Sequence, residues 1–242
     1  MYSVNVKILT LRVLAFAFAL PPLVLAQGQV GIGVAAGSLG AGVQAAVSLT
    51  KYSNIRGGFN YFSYSDTFNK DGITYNGTLK LQSAEVVWDQ YFPHLNGLHI
   101  SSGALIYDAN KGNATANVSG GNSFSLGSTT YYSGSSNPIT GTGAITFQKA
   151  APMILLGFGN LVPHSRHFGV NFEVGVVFQG SPNAKLSLAG SACPSSSQTN
   201  CVNAATDSGV QANVTSEQNK LNNDLNPFKY YPVVSLGFSY KF

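Results

Sequence analysis

The chain has 242 residues, of which 9% are charged and 12% aromatic, and 27 are glycine. Roughly a quarter of the residues of an ordinary soluble protein are charged, so this composition argues against a water-soluble globule. The formal charge of +4 includes no cluster of Lys and Arg of the kind a phosphate backbone needs, which excludes a nucleic-acid partner.

At the N-terminus, Lys7 and Arg12 precede the apolar run "VLAFAFAL", followed by "PPLVLA" and Gln27. A basic start, a short apolar core and small residues at Val24 and Ala26 predict a secretory signal peptide over 1–26, cut after Ala26. An N-terminal membrane anchor is the other reading, but the core falls short of the ~20 residues a spanning helix needs. Loss of Lys7 and Arg12 leaves eleven basic against nine acidic residues, a mature chain 27–242 near +2.

From there the pattern is alternation, the period-two signature of a strand. In "SLGAGVQAAVSLT", Leu39, Ala41, Val43, Ala45, Val47 and Leu49 share one face, opposite Gly40, Gly42, Gln44, Ala46 and Ser48. In "FGVNFEVGVVFQG", Phe168, Val170, Phe172, Val174, Val176 and Phe178 lie opposite Asn171, Glu173 and Gln179. Eight strands follow, at roughly 29–36, 39–50, 55–68, 73–91, 98–115, 142–158, 167–180 and 229–242. The phase slips before Trp88, which predicts a bulge near Ser83 to Glu85. Pro152 interrupts the sixth strand, where a proline belongs at a strand start or a bulge.

The connectors 51–54, 93–97 and 161–167 are short, whereas 116–141 and 181–228 are long and rich in Gly, Ser, Thr and Asn. A soluble sandwich also alternates, but it has no reason to sort its connectors by length. Outer-membrane barrels do. The expected fold is therefore all-β, an eight-stranded antiparallel transmembrane β-barrel, with a short helix in the last extracellular loop. In that loop "SGVQ" reads as a capping box of Ser208 and Gln211, Val210, Val214, Leu221 and Leu225 follow helical spacing, and Pro227 ends the run.

With the apolar faces outward, the interior receives Gln44, Arg56, Asn60, Phe62, Asn171, Glu173, Gln179, Tyr231 and Lys241, and Arg56 with Glu173 is a candidate buried ion pair. Either a solid polar core or a narrow wet cavity fits these residues. Cys193 and Cys201, in "CPSSSQTNC", read as a disulfide in an exported chain, with two free thiols as the alternative. His94, His99, His164 and His167 fall at the short-turn end, where gathered imidazoles would suit Zn²⁺ or Cu²⁺ and ungathered ones would sit among lipid head groups. His99 and Ser101 share one strand face, but at the end and on the face opposite to those a lipid-modifying site needs. No catalytic residue, cofactor or metal is assigned.

The chain ends in "YPVVSLGFSYKF", with Val234, Leu236, Phe238, Tyr240 and Phe242 on alternate positions. This looks like the C-terminal signal by which bacterial outer-membrane barrels are recognised for insertion. With the signal peptide and strand count, the chain resembles the small barrels of the OmpA, OmpX and OmpW type. The resemblance implies a bacterial outer-membrane location and contact with lipid and lipopolysaccharide. It also implies recognition by the barrel-assembly machinery through the last strand, which pairs with the first, "QVGIGVAA". For function it implies a narrow passive channel for small or apolar solutes, or a non-conducting barrel whose long loops meet an external surface partner. A lipid-modifying enzyme is a weaker third.

Overall fold

The structure, a computed structural model, describes residues 28–70 and 73–242. The signal peptide expected over 1–26 lies outside the described residues. Among those described are fifteen strands: β1 (Val30–Gly37), β2 (Gly40–Thr50), β3 (Ser53–Lys70), β4 (Ile73–Tyr91), β5 (Leu98–Asp108), β6 (Lys111–Val118), β7 (Ser123–Leu126), β8 (Thr129–Ser133), β9 (Ile139–Thr146), β10 (Ala151–Phe158), β11 (Phe168–Phe178), β12 (Asn183–Ala189), β13 (Ser191–Cys193), β14 (Val202–Asn203) and β15 (Tyr230–Lys241). One helix, α1 (Ser208–Leu225), runs into a 3₁₀ turn at Asn226–Lys229. No described helix is long and apolar enough to cross a membrane.

Antiparallel pairing runs β1–β2–β3–β4–β5–β10–β11–β15 and returns from β15 to β1. In that ring the alternation read from the sequence becomes a physical inside and outside. On β11, Phe168, Val170, Phe172 and Val174 are exposed while Asn171, Glu173 and Val177 are buried. On β15, Val234, Leu236, Phe238 and Tyr240 point out, and Ile32 and Val34 of β1 oppose Tyr240 and Phe238 across the closing seam. The bulge expected in β4 near Ser83 to Glu85 is found at that rung of the ladder but on the neighbouring strand, and β4 itself alternates unbroken from Ser83 to Tyr91. The β4–β5 register shifts between Ala84 and Glu85, and Ile106 is the extra residue.

Seven strands exceed the expected eight, because the long connectors are built and not loose. The segments expected as single strands 98–115 and 142–158 each break in two. After β5, the Asn110 side chain accepts from the Gln82 N–H at 2.7 Å and the Asn110 N–H donates to Asp108 Oδ1 at 2.8 Å, a local turn that competes with the ladder. Pro152, the second residue of β10, sits near a strand start where its missing N–H is tolerated. Beyond the breaks, β6, β9 and β12 continue the sheet from the upper half of β4. β3 and β4 have 18 and 19 residues, and a tilted strand needs only about 10 to cross a bilayer. Their upper halves therefore rise clear of the ring.

A separate four-stranded sheet, β14–β13–β8–β7, and α1 complete this cap. Its core joins Val118, Phe124, Ile139, Leu188, Val210 and Val214, among others, and shares no residue with the core inside the ring. The N-cap of α1 is Asp207, whose carboxylate accepts from the Val210 N–H at 2.9 Å, so the expected Ser208–Gln211 box does not form. Gln211 instead donates to the Ala204 carbonyl. The apolar stripe buries Val210 and Val214 and leaves Leu221 and Leu225 half-covered. Further along the same flank of α1, Gln218 and Asn222 accept from the Leu186 and Ala184 N–H groups at 3.0 and 2.7 Å. They thus cover the free edge of β12, which would otherwise invite another strand.

Candidate functional site

At mid-height inside the ring, Arg56 on β3 meets Asp89 on β4 and Glu173 on β11. Its Nε and Nη2 donate to the two Asp89 oxygens at 3.1 and 3.0 Å, and Nη1 donates to Glu173 Oε2 at 2.9 Å. Nη2 also donates to Glu173 Oε1. Ser101 Oγ donates to Asp89 Oδ1 at 2.6 Å, and His99 stands 3.4 Å from Glu173 Oε1 with its other nitrogen 3.0 Å from the Gly97 carbonyl. Arg56 and Glu173 are each only 2% exposed. Asp89, His99 and Glu173 lie close enough to share a metal ion. The Arg56 guanidinium already occupies both oxygens of both carboxylates, so it stands where that cation would be. Such a fork-to-carboxylate cluster is geometrically exact and strongly held.

Beside it, Glu85 accepts from Asn60 Nδ2 at 3.3 Å and Gln44 Nε2 at 3.5 Å. Glu85 pairs across the ladder with Gly58, where a Cβ would come within 2.8 Å of its Oε1, so only glycine there leaves room for the carboxylate. A cavity of about 10 Å³ lies between Gln44, Asn60, Glu85, Glu173 and Ser235 on one side and the apolar Leu39, Met153, Leu155 and Val233 on the other, room for one water.

Apolar packing closes the ring on both sides of this layer. Towards the cap, Leu39, Leu105, Met153, Leu155 and Val177 are buried in one cluster, which reaches down to Val87 between Glu85 and Asp89. Leu39, expected on the outward face, belongs to it because it lies in the two-residue turn between Gly37 and Gly40 (φ +110°) and folds inward. Towards the short turns, Leu161 and Val162 from the β10–β11 connection pack on Ala46. Below them an open depression of about 1040 Å³ includes Tyr91, Asn160, His164 and Arg166 and runs out past the outward-facing Phe168, Val170 and Phe238.

All six residues assigned inward as candidates, Gln44, Arg56, Asn60, Asn171, Glu173 and Gln179, are buried, but they do not form one site. Gln44, Arg56, Asn60 and Glu173 meet in the layer just described. Asn171 packs against Gly237. Gln179 lies past the end of β11 and donates to the Phe228 carbonyl at 2.9 Å. Lys241 is buried at the short-turn end on the His164 carbonyl and Gln29, and the Tyr231 hydroxyl donates to the Ser38 carbonyl. Phe62 is exposed, since β3 has left the ring by then. The histidines do not gather. His99 is inside, while His94, His164 and His167 are exposed. Asp89 and Glu85 went unassigned because the outward Trp88 reads as a phase slip after Leu79 and Leu81, although β4 alternates unbroken from Ser83 to Tyr91. Alternation counted back from Tyr91, ignoring Leu79 and Leu81, would have put both with Val87.

Cys193 and Cys201 form a disulfide. It closes a loop of eight residues' separation in the cap, worth about 2–3 kcal/mol by chain entropy. Reduction is expected to raise protease cleavage near 194–200 at least tenfold and to leave the unfolding midpoint of the ring unchanged, which limited proteolysis with and without reductant reads directly.

No family model matches the chain, and no curated protein matches it. Among solved structures, the crystal structure of Acinetobacter baumannii CarO aligns with a TM-score of 0.55 at 23% identity, over 88% of this chain and 97% of that one. That of A. baumannii CarO2 aligns with a TM-score of 0.55 at 22% identity, over 88% and 98%. The likeness is one of fold and does not single out the OmpA, OmpX or OmpW type.

Proposed function

We propose that the chain is a bacterial outer-membrane β-barrel, crossing with the eight strands of the ring, and that it is a closed barrel acting through its ordered extracellular cap on an external surface partner. One observation carries this reading: the interior is filled in three tiers, apolar, ionic and apolar, with room for about one water beside the ionic tier. Eight strands enclose a space that side chains can fill, and here they do. The exposed apolar belt on β1, β2, β10, β11 and β15 supports contact with lipid. The exposed apolar face of β15, Val234 to Tyr240, with Phe242 just beyond it, supports recognition by the assembly machinery.

The depression at the short-turn end favours a second reading, a narrow channel for small or apolar solutes entered from the periplasm. Such a channel would have to displace Leu161 and Val162 and then part Arg56 from its carboxylates. Conductance separates the two. The refolded mature protein, checked by its mobility shift between boiled and unboiled samples, is expected to stay silent in a planar bilayer. Discrete steps that change on replacing Arg56 or Glu173 would overturn the closed reading and establish a pore.

A further inference from the structure

Beyond the ring, β3, β4, β6, β9 and β12 pair side by side in a register that aligns their side chains in rungs across the sheet. The two faces of this sheet differ. On one, Val118, Ile139 and Leu188 are buried with Val210 and Val214 of α1. The other stands open, and its side chains are exposed or half-buried. Its first rung past the ring is Ser63, Lys80, Lys111, Thr146 and Asn183, and three more rungs follow as far as Asn69. Of the twenty positions in these four rungs, fifteen are Ser, Thr or Asn, three are Lys, two are Ala and none is acidic. The three lysines, Lys80, Lys111 and Lys185, all lie in the first two rungs.

Lys80 and Lys111 stand directly opposite each other across the β4–β6 ladder, where like charges repel. Among the described residues no carboxylate comes within ion-pair distance of either, or of Lys185. A repelling pair on an open face without an acid beside it is complementary to an anion supplied from outside. The position of the face selects which anion. On β3 it continues the outward face of Phe59 and Tyr61, and on β4 that of Val86 and Trp88, all four exposed. Tyr61 ends this apolar run, and an outward tyrosine there marks the head-group level. Lys80 lies over its ring, 5.8 Å from the centroid. The lysine rungs therefore start where acyl chains give way to head groups, and the uncharged rungs extend away from lipid. A ligand with phosphate at its foot and neutral sugar above matches that order. A phospholipid has the phosphate but nothing to cover the hydroxyl and amide rungs.

We propose that this face binds the phosphorylated saccharide of the surrounding lipopolysaccharide, with phosphate between Lys80 and Lys111 and neutral sugar over the Ser, Thr and Asn rungs. The site rests on the reading that the ring crosses the outer membrane, and it does not depend on whether the ring conducts. Its test uses the full mature chain refolded in detergent, with the boiled-to-unboiled mobility shift confirmed. The probes are immobilised lipopolysaccharide, the same material stripped of phosphate, and phosphatidylglycerol vesicles. Lipopolysaccharide is expected to bind about tenfold more tightly than either of the others. Lys80→Gln with Lys111→Gln should remove about that tenfold, whereas Lys220→Gln with Lys229→Gln, the same loss of charge elsewhere on the cap, should change little. Thr142→Trp, an uncharged obstacle on an exposed position of the third rung, should weaken binding to lipopolysaccharide and not to the vesicles. Equal losses in the two lysine pairs would reduce the effect to net charge and overturn the site. Undiminished binding after removal of phosphate would overturn it as well. Vesicles that bind as tightly as lipopolysaccharide would make the ligand a lipid phosphate, and the saccharide assignment would fall. Should the first pair not refold, Lys111→Gln alone carries the comparison, since Lys111 is exposed. A chain that never yields a heat-modifiable barrel would sink the membrane reading and this site with it. A folded barrel without phosphate-dependent binding would sink the site alone.

Discussion

Replacing Arg56 by alanine is expected to destabilise the folded chain by about 3–5 kcal/mol, the cost of leaving buried carboxylates without their partner. The size of the effect comes from what remains behind. Asp89 and Glu173 are both about 2% exposed on their side chains and lose four donors at once. Arg56→Lys restores the charge but cannot reproduce the fork that reaches two carboxylates together, so it should fall between the two. Replacing Arg56, Asp89 and Glu173 together by apolar residues of similar volume is expected to be neutral or to stabilise by about 1–4 kcal/mol. The network would then supply a unique interior arrangement and not stability. Trp88, the single tryptophan, lies on the outward face of β4 next to Asp89 and reports unfolding by fluorescence in urea. An alanine variant within about 1 kcal/mol of the parent would mean that water replaces the guanidinium. The interior would then be wet, and the closed reading would lose its main support.

Val210→Asp should open the cap and spare the ring. Val210 is 1% exposed, packed in the cap core from the first turn of α1. A charge there has no partner to meet, and its burial costs several kcal/mol. Since about 1.4 kcal/mol is a factor of ten in an equilibrium, the cap should open at least a hundredfold more often, and protease cleavage within 119–138 and 181–228 should accelerate by that factor. The unboiled gel mobility should not change, because the ring core contains none of the cap-core residues. A ring that melts earlier by the same free energy would show that cap and ring are one cooperative unit. It would then be wrong to treat the cap as a separately ordered surface.

How much of this was legible beforehand differs between the two halves of the molecule. The ring strands could be read because each has one face against apolar surroundings and one against polar or packed ones, a contrast that period-two alternation records residue by residue. Arg56 and Glu173 were matched on that basis. Their third partner was not, since Leu79 and Leu81 lie on the part of β4 that rises beyond the ring and obscure the face that Glu85 and Asp89 share from Ser83 to Tyr91. In the cap the signal is weak. β6 and β9 are built from "KGNATANV" and "ITGTGAIT", whose inward residues are mostly Gly and Ala. Small side chains leave little apolar contrast to count.

The sequence by itself determined the all-β class, the inward and outward faces of β2, β11 and β15, the cysteine pair and the helix before the last strand. Each of these follows from neighbours along the chain. Only the tertiary structure decided that the long connectors pack into a cap with its own core, that Leu39, Leu161 and Val162 turn in to close the ring, and that Glu85 is met by the Asn60 and Gln44 amides. Alternation tells which way a side chain points. What meets it there is set by strands 30 to 200 residues away (Arg56 reaches Asp89 at a separation of 33 and Glu173 at 117), and by whether the volumes brought together fill the space between them.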